Sequence, residues 1–477
     1  MLPDDVFLEI FDFYVTVEGF HLRHGAKQII EWITLAHVCR RWRNVVFQSQ
    51  RRLNLRLLCT HKTRTRDILD IWPRLPLSIH GSHNLFEHWH GRSGVDNIVA
   101  ALEHNDRVCQ IKLVYLPDLQ FGYVTDSAAM RKPFPKLTDL QLRMNITNGP
   151  GPILPDTFLG GTALRLQSLF LDHITFPGLP KLLLSATHLV YLYLYHIPHF
   201  GYIPPEVMAT SLSALTSLES LRLNFRYPRP RPALGSRRLP PPLTRSNLPK
   251  LTKIRFKGAS EYLEEILARI DVPRLDELLI TFFNQIIFDT PQLFQFISRR
   301  PALRAREKGL IIFNSKAIIV KFPSGISDYG VLSVQILCAV SEWQLSSLEQ
   351  VCTSYLPPLS TLEDLYIFED RRYPPRWQGD VENTLWLDLL RSFVAVKNLN
   401  LSREFVPRIA PALQELVEGR TTEVFPTLEN IFLEDFSGRP LHKGIEKFVA
   451  ARRLTSRPVA VSCKSEDLYR EIYQTDS

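Results

Sequence analysis

The sequence predicts an α/β protein in which a small N-terminal helical unit precedes a long repeat of parallel strands and helices. Two apolar helical patterns lie within the first fifty residues. After them the pattern L-x-x-L-x-L, with apolar replacements, occurs nine times between residues 137 and 433. Helical patterns lie between many of these strand-like segments, so the body is predicted as a stack of similar strand–helix units.

Composition places the chain among ordinary globular proteins. Hydrophobic residues make up 45% and charged residues 22% of the 477 residues. The net charge of +8 favours acidic partners, nucleic acid or anionic membrane surfaces. The six cysteines are scattered without a C-x-x-C pair, which suits a reducing compartment. No apolar run approaches the roughly 18 residues needed to span a bilayer, and the N-terminus is acidic where a signal peptide is basic. We therefore expect an intracellular protein, cytoplasmic or nuclear, with no membrane partner.

The N-terminal fifty residues are unusually apolar for their number. Residues 2–14 and 29–47 each predict a helix with an apolar stripe. A unit of this size is too small to bury all of these side chains, so the surplus indicates a partner surface. The alternative is that the two helices pack against the following domain.

Two segments of this region, LPDDVFLEIFDFY and LAHVCRRWRNVVF, closely resemble the F-box motif. The matching positions are Leu2, Pro3, Ile10, Phe11, Leu35, Val38, Cys39 and Trp42. In that family the motif binds the Skp adaptor protein of a Skp–cullin–F-box ubiquitin ligase. The resemblance therefore implies that these eight residues bind the Skp adaptor and, through it, a cullin. The wider pattern is most similar to F-box families of mushroom-forming fungi.

The body shows a degenerate leucine-rich repeat. The nine motifs start at Leu137, Leu166, Leu189, Leu218, Leu251, Leu275, Leu362, Val396 and Leu428. Spacings are 23 to 34 residues, apart from one gap of 87 that fits about three repeats. Four motifs follow an apolar-Pro-x prefix, and we expect the proline to set an extended backbone before the strand. Parallel strands are expected on a concave face and helices on a convex one.

The predicted domains are a helical motif over 1–50, a repeat domain over 51–460 and a tail over 461–477. Residues 310–340 are predicted to form an irregular insertion of antiparallel strands in place of a repeat. The Pro- and Arg-rich segment 226–245 is interpreted as an exposed loop, with a polyproline ligand or an anion-binding arm as alternatives. Helices are predicted over 204–215, 260–270, 290–299 and 385–393, the third with Thr290 as its N-cap.

No catalytic motif was found. The sequence contains no phosphate-binding loop, dinucleotide fingerprint, H-E-x-x-H or G-x-S-x-G, so we expect no enzyme and no cofactor. His80, His83, His88 and His90 have a spacing that could hold a transition metal. A solvated polar loop is the preferred interpretation, and no metal site is predicted. No nucleic-acid-binding signature accompanies the basic segments, so a nucleic acid partner is not expected.

The motif register predicts a target-binding face. The leucines face the core, so the residues between and after them face the concave surface. These positions carry Tyr191, Tyr193, Tyr195, Arg222, Lys253, Arg255 and Lys257. Aromatic and basic side chains are enriched at binding hot spots, and the basic group suits a carboxylate-rich or phosphorylated segment. The alternatives are an ordinary strand surface, or recognition by the C-terminal repeats with Tyr366, Phe368 and Phe432.

These observations predict a substrate-recognition adaptor of a ubiquitin ligase, which binds an unidentified target protein through its repeats. The alternative is a free-standing repeat scaffold with a remnant F-box. The two interpretations differ in whether Leu2, Pro3, Ile10 and Phe11 are exposed.

Overall fold

The protein was analysed as a computed structural model. It describes residues 2–17, 35–48, 55–59, 64–71, 76–82, 93–145, 151–226, 245–284, 288–304, 306–323, 331–338, 340–353, 356–377, 383–416, 420–434 and 440–464. The chain divides into two compact units, Met1–Arg226 and Tyr227–Ser477. Each unit combines a sheet that is mostly parallel with helices, so the predicted α/β repeat architecture of the body is confirmed at this level.

The first unit contains the N-terminal helices and seven parallel strands in sequence order. Its strands are β1 (Leu55–Leu58), β2 (Leu77–Ser82), β3 (Val108–Val114), β4 (Asp139–Arg143), β5 (Ser168–Asp172), β6 (Tyr191–Ile197) and β7 (Ser220–Phe225). Its helices are α1 (Asp4–Val17), α2 (Arg40–Gln48), α3 (Thr65–Ile71), α4 (Ser93–Leu102), α5 (Asp118–Thr125), α6 (Leu179–Ser185) and α7 (Pro205–Ser213). A further helical turn spans residues 35–38.

Each repeat begins with a turn and not with the extended segment that the proline prefix predicts. The backbone N–H of Leu137 donates to the carbonyl of Phe134, and Leu251 and Leu428 bond in the same way to the residue three positions earlier. The first leucine of the motif is therefore buried in a turn, and the strand starts two residues later. Repeats without the proline close the same turn, so the buried leucine is the common feature.

The second unit carries the remaining strands and helices. Its strands are β8 (Ser246–Asn247), β9 (Lys253–Gly258), β10 (Ile270–Asp271), β11 (Glu277–Phe282), β12 (Lys308–Phe313), β13 (Ala317–Phe322), β14 (Leu332–Leu337), β15 (Asp364–Glu369), β16 (Asn398–Leu401), β17 (Asn430–Glu434) and β18 (Ala460–Lys464). Its helices are α8 (Ser260–Leu267), α9 (Pro291–Ser298), α10 (Pro301–Arg304), α11 (Trp343–Thr353), α12 (Asn383–Arg391), α13 (Val406–Glu415) and α14 (Lys443–Leu454). The four helices predicted from the sequence correspond to α7, α8, α9 and α12.

The long gap between motifs holds an antiparallel stretch of the sheet in place of three further repeats. The strand order in this unit is β9-β11-β14-β13-β12-β15-β16-β17-β18, with β10 paired to β8 apart from it. Strand β13 is antiparallel to both of its neighbours, β12 and β14, whereas β14 is parallel to β11 and β12 is parallel to β15. Both faces of β12 are buried, so its side chains do not alternate between apolar and polar as those of the repeat strands do.

The N-terminus of α9 is capped by the preceding repeat. Thr290 occupies the predicted N-cap position, but its side chain accepts no hydrogen bond from the helix. The two carboxylate oxygens of Glu264, on α8, instead accept from the backbone N–H groups of Gln292 and Leu293, both at 2.7 Å. A carboxylate is also favoured at the positive end of the helix dipole, so one repeat caps the next.

We expect Glu264→Ala to lower the free energy of unfolding by about 1–2 kcal/mol, because two helix N–H groups lose their acceptor. Glu265→Ala on the same helix is the matched control. Glu265 pairs with Arg269, four residues later on the same helix, at 3.1 Å, and a helix pair of this spacing contributes about 0.3–0.5 kcal/mol. Urea unfolding followed by circular dichroism measures both variants, and equal costs would contradict the capping role.

In the part of the chain that the structure describes, no helix is long and apolar enough to cross a membrane.

Candidate functional site

The N-terminal helices form a small unit with its own apolar core. Buried side chains from α1, the turn at 35–38 and α2 pack together, and Phe7 and Trp42 border them. The core residues are Leu8, Phe11, Leu35, Ala36, Val45 and Val46. The ring of Trp42 lies 4.8 Å from that of Phe11 and 5.8 Å from that of Phe7, centroid to centroid. Aromatic packing therefore joins the two segments of the motif.

Polar contacts fix the two segments against each other. The Arg41 guanidinium pairs with Asp4 at 2.8 Å, donates to the carbonyl of Leu2 at 2.6 Å and lies 4.9 Å from the ring centroid of Phe7. Within the second segment, Arg43 donates to the carbonyl of Ala36 at 3.0 Å, whereas the contacts of Arg41 join the two segments. These contacts hold the start of α1 beside α2, so the residues around Leu2 have a defined position.

Five apolar residues remain exposed on this unit, and we call them the docking face: Leu2, Pro3, Val6, Ile10 and Val38. Ile10 is 46% exposed and Val38 is 55% exposed. Cys39 is exposed beside Val38. Of the eight motif residues, five are thus exposed, Trp42 is half-buried, and Phe11 and Leu35 lie inside the unit.

The cysteines differ sharply in exposure. Cys39 and Cys463 are exposed. Burial raises the pKa of Cys59 to about 12 and the pKa of Cys338 to about 11. Burial also raises the pKa of Cys109 and of Cys352. These four thiols therefore stay protonated near neutral pH and suit a structural role.

In the first unit the sheet presents an aromatic and basic face. Leu192 and Leu194 of β6 are buried, while Tyr191 is 41% exposed and Tyr193 and Tyr195 are half-buried. The strand register places Tyr193 beside Arg222 of β7. The Arg222 guanidinium lies 4.7 Å from the Tyr193 ring centroid and donates to the Tyr195 hydroxyl. The sequence predicted that Tyr191, Tyr193, Tyr195 and Arg222 share one face. In the structure these four residues are in contact with one another.

Sequence reasoning missed the neighbouring residues on β4 and β5. Phe170 stacks on Tyr195 with ring centroids 5.1 Å apart, and Arg143 lies 5.2 Å from the Phe170 centroid. Asp172 accepts from Arg143 at 3.4 Å and is 2.8 Å from Nδ1 of His196. The same register rule, applied to the first two motifs, would have assigned Arg143, Phe170 and Asp172 to this face.

The predicted basic group of β9 belongs to the second unit. Lys253 is exposed, but Nε of Arg255 bonds Oε1 of Glu277 on β11 at 2.6 Å. Burial lowers the pKa of Lys257, whose ammonium lies 5.8 Å from the ring centroid of Phe283. The charge of Arg255 is therefore neutralised by an adjacent strand, which weakens the case for this group as an anion site.

The C-terminal residues that the sequence offered as an alternative target-binding surface, Tyr366, Phe368 and Phe432, are partly or wholly buried. Phe368 is buried with Leu310 and Ile312, and Tyr366 packs against them. Phe432 is half-buried. Phe368 therefore serves the packing of the second unit.

The two remaining candidate segments lie largely outside the described residues. Of the four histidines, His80 lies on β2 with Nε2 3.1 Å from the hydroxyl of Ser78, and the other three are outside the described ranges. Within those ranges no group of three or more His, Cys, Asp or Glu residues could hold a metal ion. Of the Pro- and Arg-rich loop, only its first and last residues, Arg226 and Arg245, are described.

Comparison with known proteins gives no family assignment. No family model matches the chain, and no curated protein matches it. Among solved structures, the leucine-rich repeat-containing protein LegL7 from Legionella pneumophila is similar over 85% of this chain and 98% of that chain, with 12% identity and a TM-score of 0.26. That level of similarity carries no argument about function, which has to be argued from the surfaces described above.

Proposed function

We propose that this protein is a non-catalytic substrate-recognition adaptor of a Skp–cullin–F-box ubiquitin ligase. The N-terminal helical unit binds the Skp adaptor and, through it, a cullin. The repeat body binds a target protein. The proposal needs no cofactor and places the protein inside the cell, in the cytoplasm or nucleus.

The observation that carries the proposal is the docking face. The helical unit already has a filled core, yet Leu2, Val6, Ile10 and Val38 remain exposed together with Pro3. Burying a large apolar side chain in a partner contributes about 1.5–3 kcal/mol. Four of the five docking-face residues, all except Val6, are positions of the F-box motif, which supports the assignment of this face to the Skp adaptor.

The body suits the second half of the role because its sheet face carries preorganised aromatic and basic side chains. The rings of Tyr193, Tyr195 and Phe170 contact one another, and two arginines lie against them. Rigid aromatic residues with arginine are typical of interface hot spots. Repeat proteins use such surfaces to bind other proteins.

A free-standing repeat scaffold is the second candidate. It is favoured by the burial of Phe11 and Leu35, because these two motif positions belong to the unit's own core and are not presented to a partner. In that case the exposed residues Leu2, Pro3 and Ile10 would have no assigned partner. The two candidates therefore differ in a single measurable property, the affinity for the Skp adaptor.

The test is direct complex formation. Purified full-length chain and purified Skp adaptor should elute together from size-exclusion chromatography, with a mass that corresponds to one copy of each. Separate elution at micromolar concentrations would overturn the adaptor role and favour the scaffold.

A further inference from the structure

One row of side chains crosses five strands of the first unit. The register aligns Lys112 of β3 with Gln141 of β4, and then with Phe170, Tyr193 and Arg222. Lys112 and Arg222 are therefore the cations at the two ends of the row, and the rings of Phe170 and Tyr193 lie next to Arg222. Neighbouring strands lie about 4.8 Å apart, so the backbones that carry the two cations are separated by about 19 Å.

Side chains of the neighbouring row, Arg143 and Tyr195, hold the rings of Phe170 and Tyr193 in place. Arg143 lies 5.3 Å from the ring centroid of Tyr115 and 5.2 Å from that of Phe170. The Phe170 and Tyr195 rings are stacked with an interplanar angle of 24°. These side chains lose little freedom when a ligand binds, which favours binding.

The face carries more positive than negative charge. Its buried acid, Asp172, is already bonded to Arg143 and His196. Among the described residues, neither Lys112 nor Arg222 has a carboxylate partner, and Nε of Arg222 is buried without a hydrogen-bond partner. Burial and the charge of Arg143 lower the pKa of Lys112. An anion bound beside Lys112 would oppose both effects and favour the charged ammonium.

We propose that this face binds an extended acidic peptide segment, in which carboxylate side chains flank a central aromatic residue. The segment would cross β3 to β7, with one carboxylate at Lys112 and the other at Arg222. The central side chain would pack on Phe170 and Tyr193. An extended chain rises about 3.3 Å per residue, so the two carboxylates would be about six residues apart. This inference rests on the proposed function, since it names the class of target.

A single-stranded nucleic acid is less suited to the same surface. Such ligands also stack on aromatic rings, but they need a basic groove that follows every phosphate. Here Asp139 and Asp172 lie on the strands between the two cationic ends. Their negative charge opposes a continuous phosphate backbone, whereas a peptide with separated carboxylates avoids both acids.

The test is fluorescence anisotropy with full-length protein and a labelled peptide that has one central Phe between two Asp residues about six positions apart. The same peptide with Asn in place of Asp, and an oligonucleotide of equal length, are the competing probes. We expect only the acidic peptide to bind, with an affinity that falls as salt is added. Equal binding of the Asn peptide, tighter binding of the oligonucleotide, or no binding at all would overturn the proposal.

Variants locate the site. Arg222→Ala, Lys112→Gln and Tyr193→Ala should each weaken acidic-peptide binding about tenfold, because each removes a charge-assisted bond or a packing surface. Arg255→Ala is the control, since Arg255 is already paired with Glu277. Unchanged affinity in both Lys112→Gln and Tyr193→Ala, or an equal loss in the control, would contradict the assignment. Skp-adaptor binding is measured on the same variants and should not change, so failure of the peptide site and failure of the adaptor role are separate results.

Discussion

Ile10→Asp is expected to weaken Skp-adaptor binding about 100-fold or more. Ile10 belongs to the docking face and is 46% exposed. A carboxylate buried there without a partner costs several kcal/mol, and about 2.7 kcal/mol already corresponds to 100-fold. Combination with Pro3→Ala should abolish the complex. Isothermal titration calorimetry with purified adaptor measures the loss.

The matched control for this variant is Leu119→Asp. Leu119 is 90% exposed on α5, outside the helical unit, so the same chemical change should leave adaptor binding unaltered. Circular dichroism of Ile10→Asp should match the wild type, because the core around Phe11 and Trp42 does not include Ile10. Affinity within about threefold of the wild type would place the interface elsewhere.

Trp386→Ala should destabilise the protein by about 3–5 kcal/mol, the usual cost of removing a large buried aromatic side chain. Trp386 of α12 is fully buried, with its ring 6.1 Å from that of Phe313 and 6.0 Å from that of Phe405. Phe313 belongs to β12, so this cluster connects the antiparallel strands to the following repeats. Urea unfolding of the full chain measures the effect.

Trp386→Phe is the control variant for the destabilisation expected of Trp386→Ala. Phenylalanine keeps most of the ring volume and removes an indole N–H that has no hydrogen-bond partner among the described residues. We expect a cost below about 1.5 kcal/mol. Similar costs for the Ala and Phe variants would show that ring packing is not what stabilises this region.

The strand register could be predicted because side chains alternate strictly along a strand. Once the leucines of a motif are assigned to the core, the positions of Tyr193 and Arg222 follow. Phe170 and Arg143 follow from the same rule in the earlier motifs. Lys112 follows from the same rule, because Val108, Ile111 and Leu113 in the segment VCQIKLV of β3 occupy the three apolar positions of the motif and are buried.

Contacts between distant segments were not predictable from the pattern. Ile10 and Phe11 are adjacent and equally apolar, yet Ile10 is exposed and Phe11 is fully buried, since only Phe11 faces Trp42. Pairing of Arg255 with Glu277 depends on which strands are neighbours. Capping of α9 by Glu264 in place of Thr290 likewise depends on how two repeats stack.

The most direct test of the adaptor role is the alkylation rate of Cys39, with and without saturating Skp adaptor. Cys39 is exposed beside the docking face, and Cys463, exposed on β18, is the internal control. In the free protein both thiols should react quickly with iodoacetamide, as followed by mass spectrometry of their peptides. The adaptor should slow alkylation of Cys39 at least about tenfold and leave Cys463 unchanged, because a protein interface excludes the reagent. Equal rates at Cys39 with and without the adaptor would contradict docking through the N-terminal helical unit.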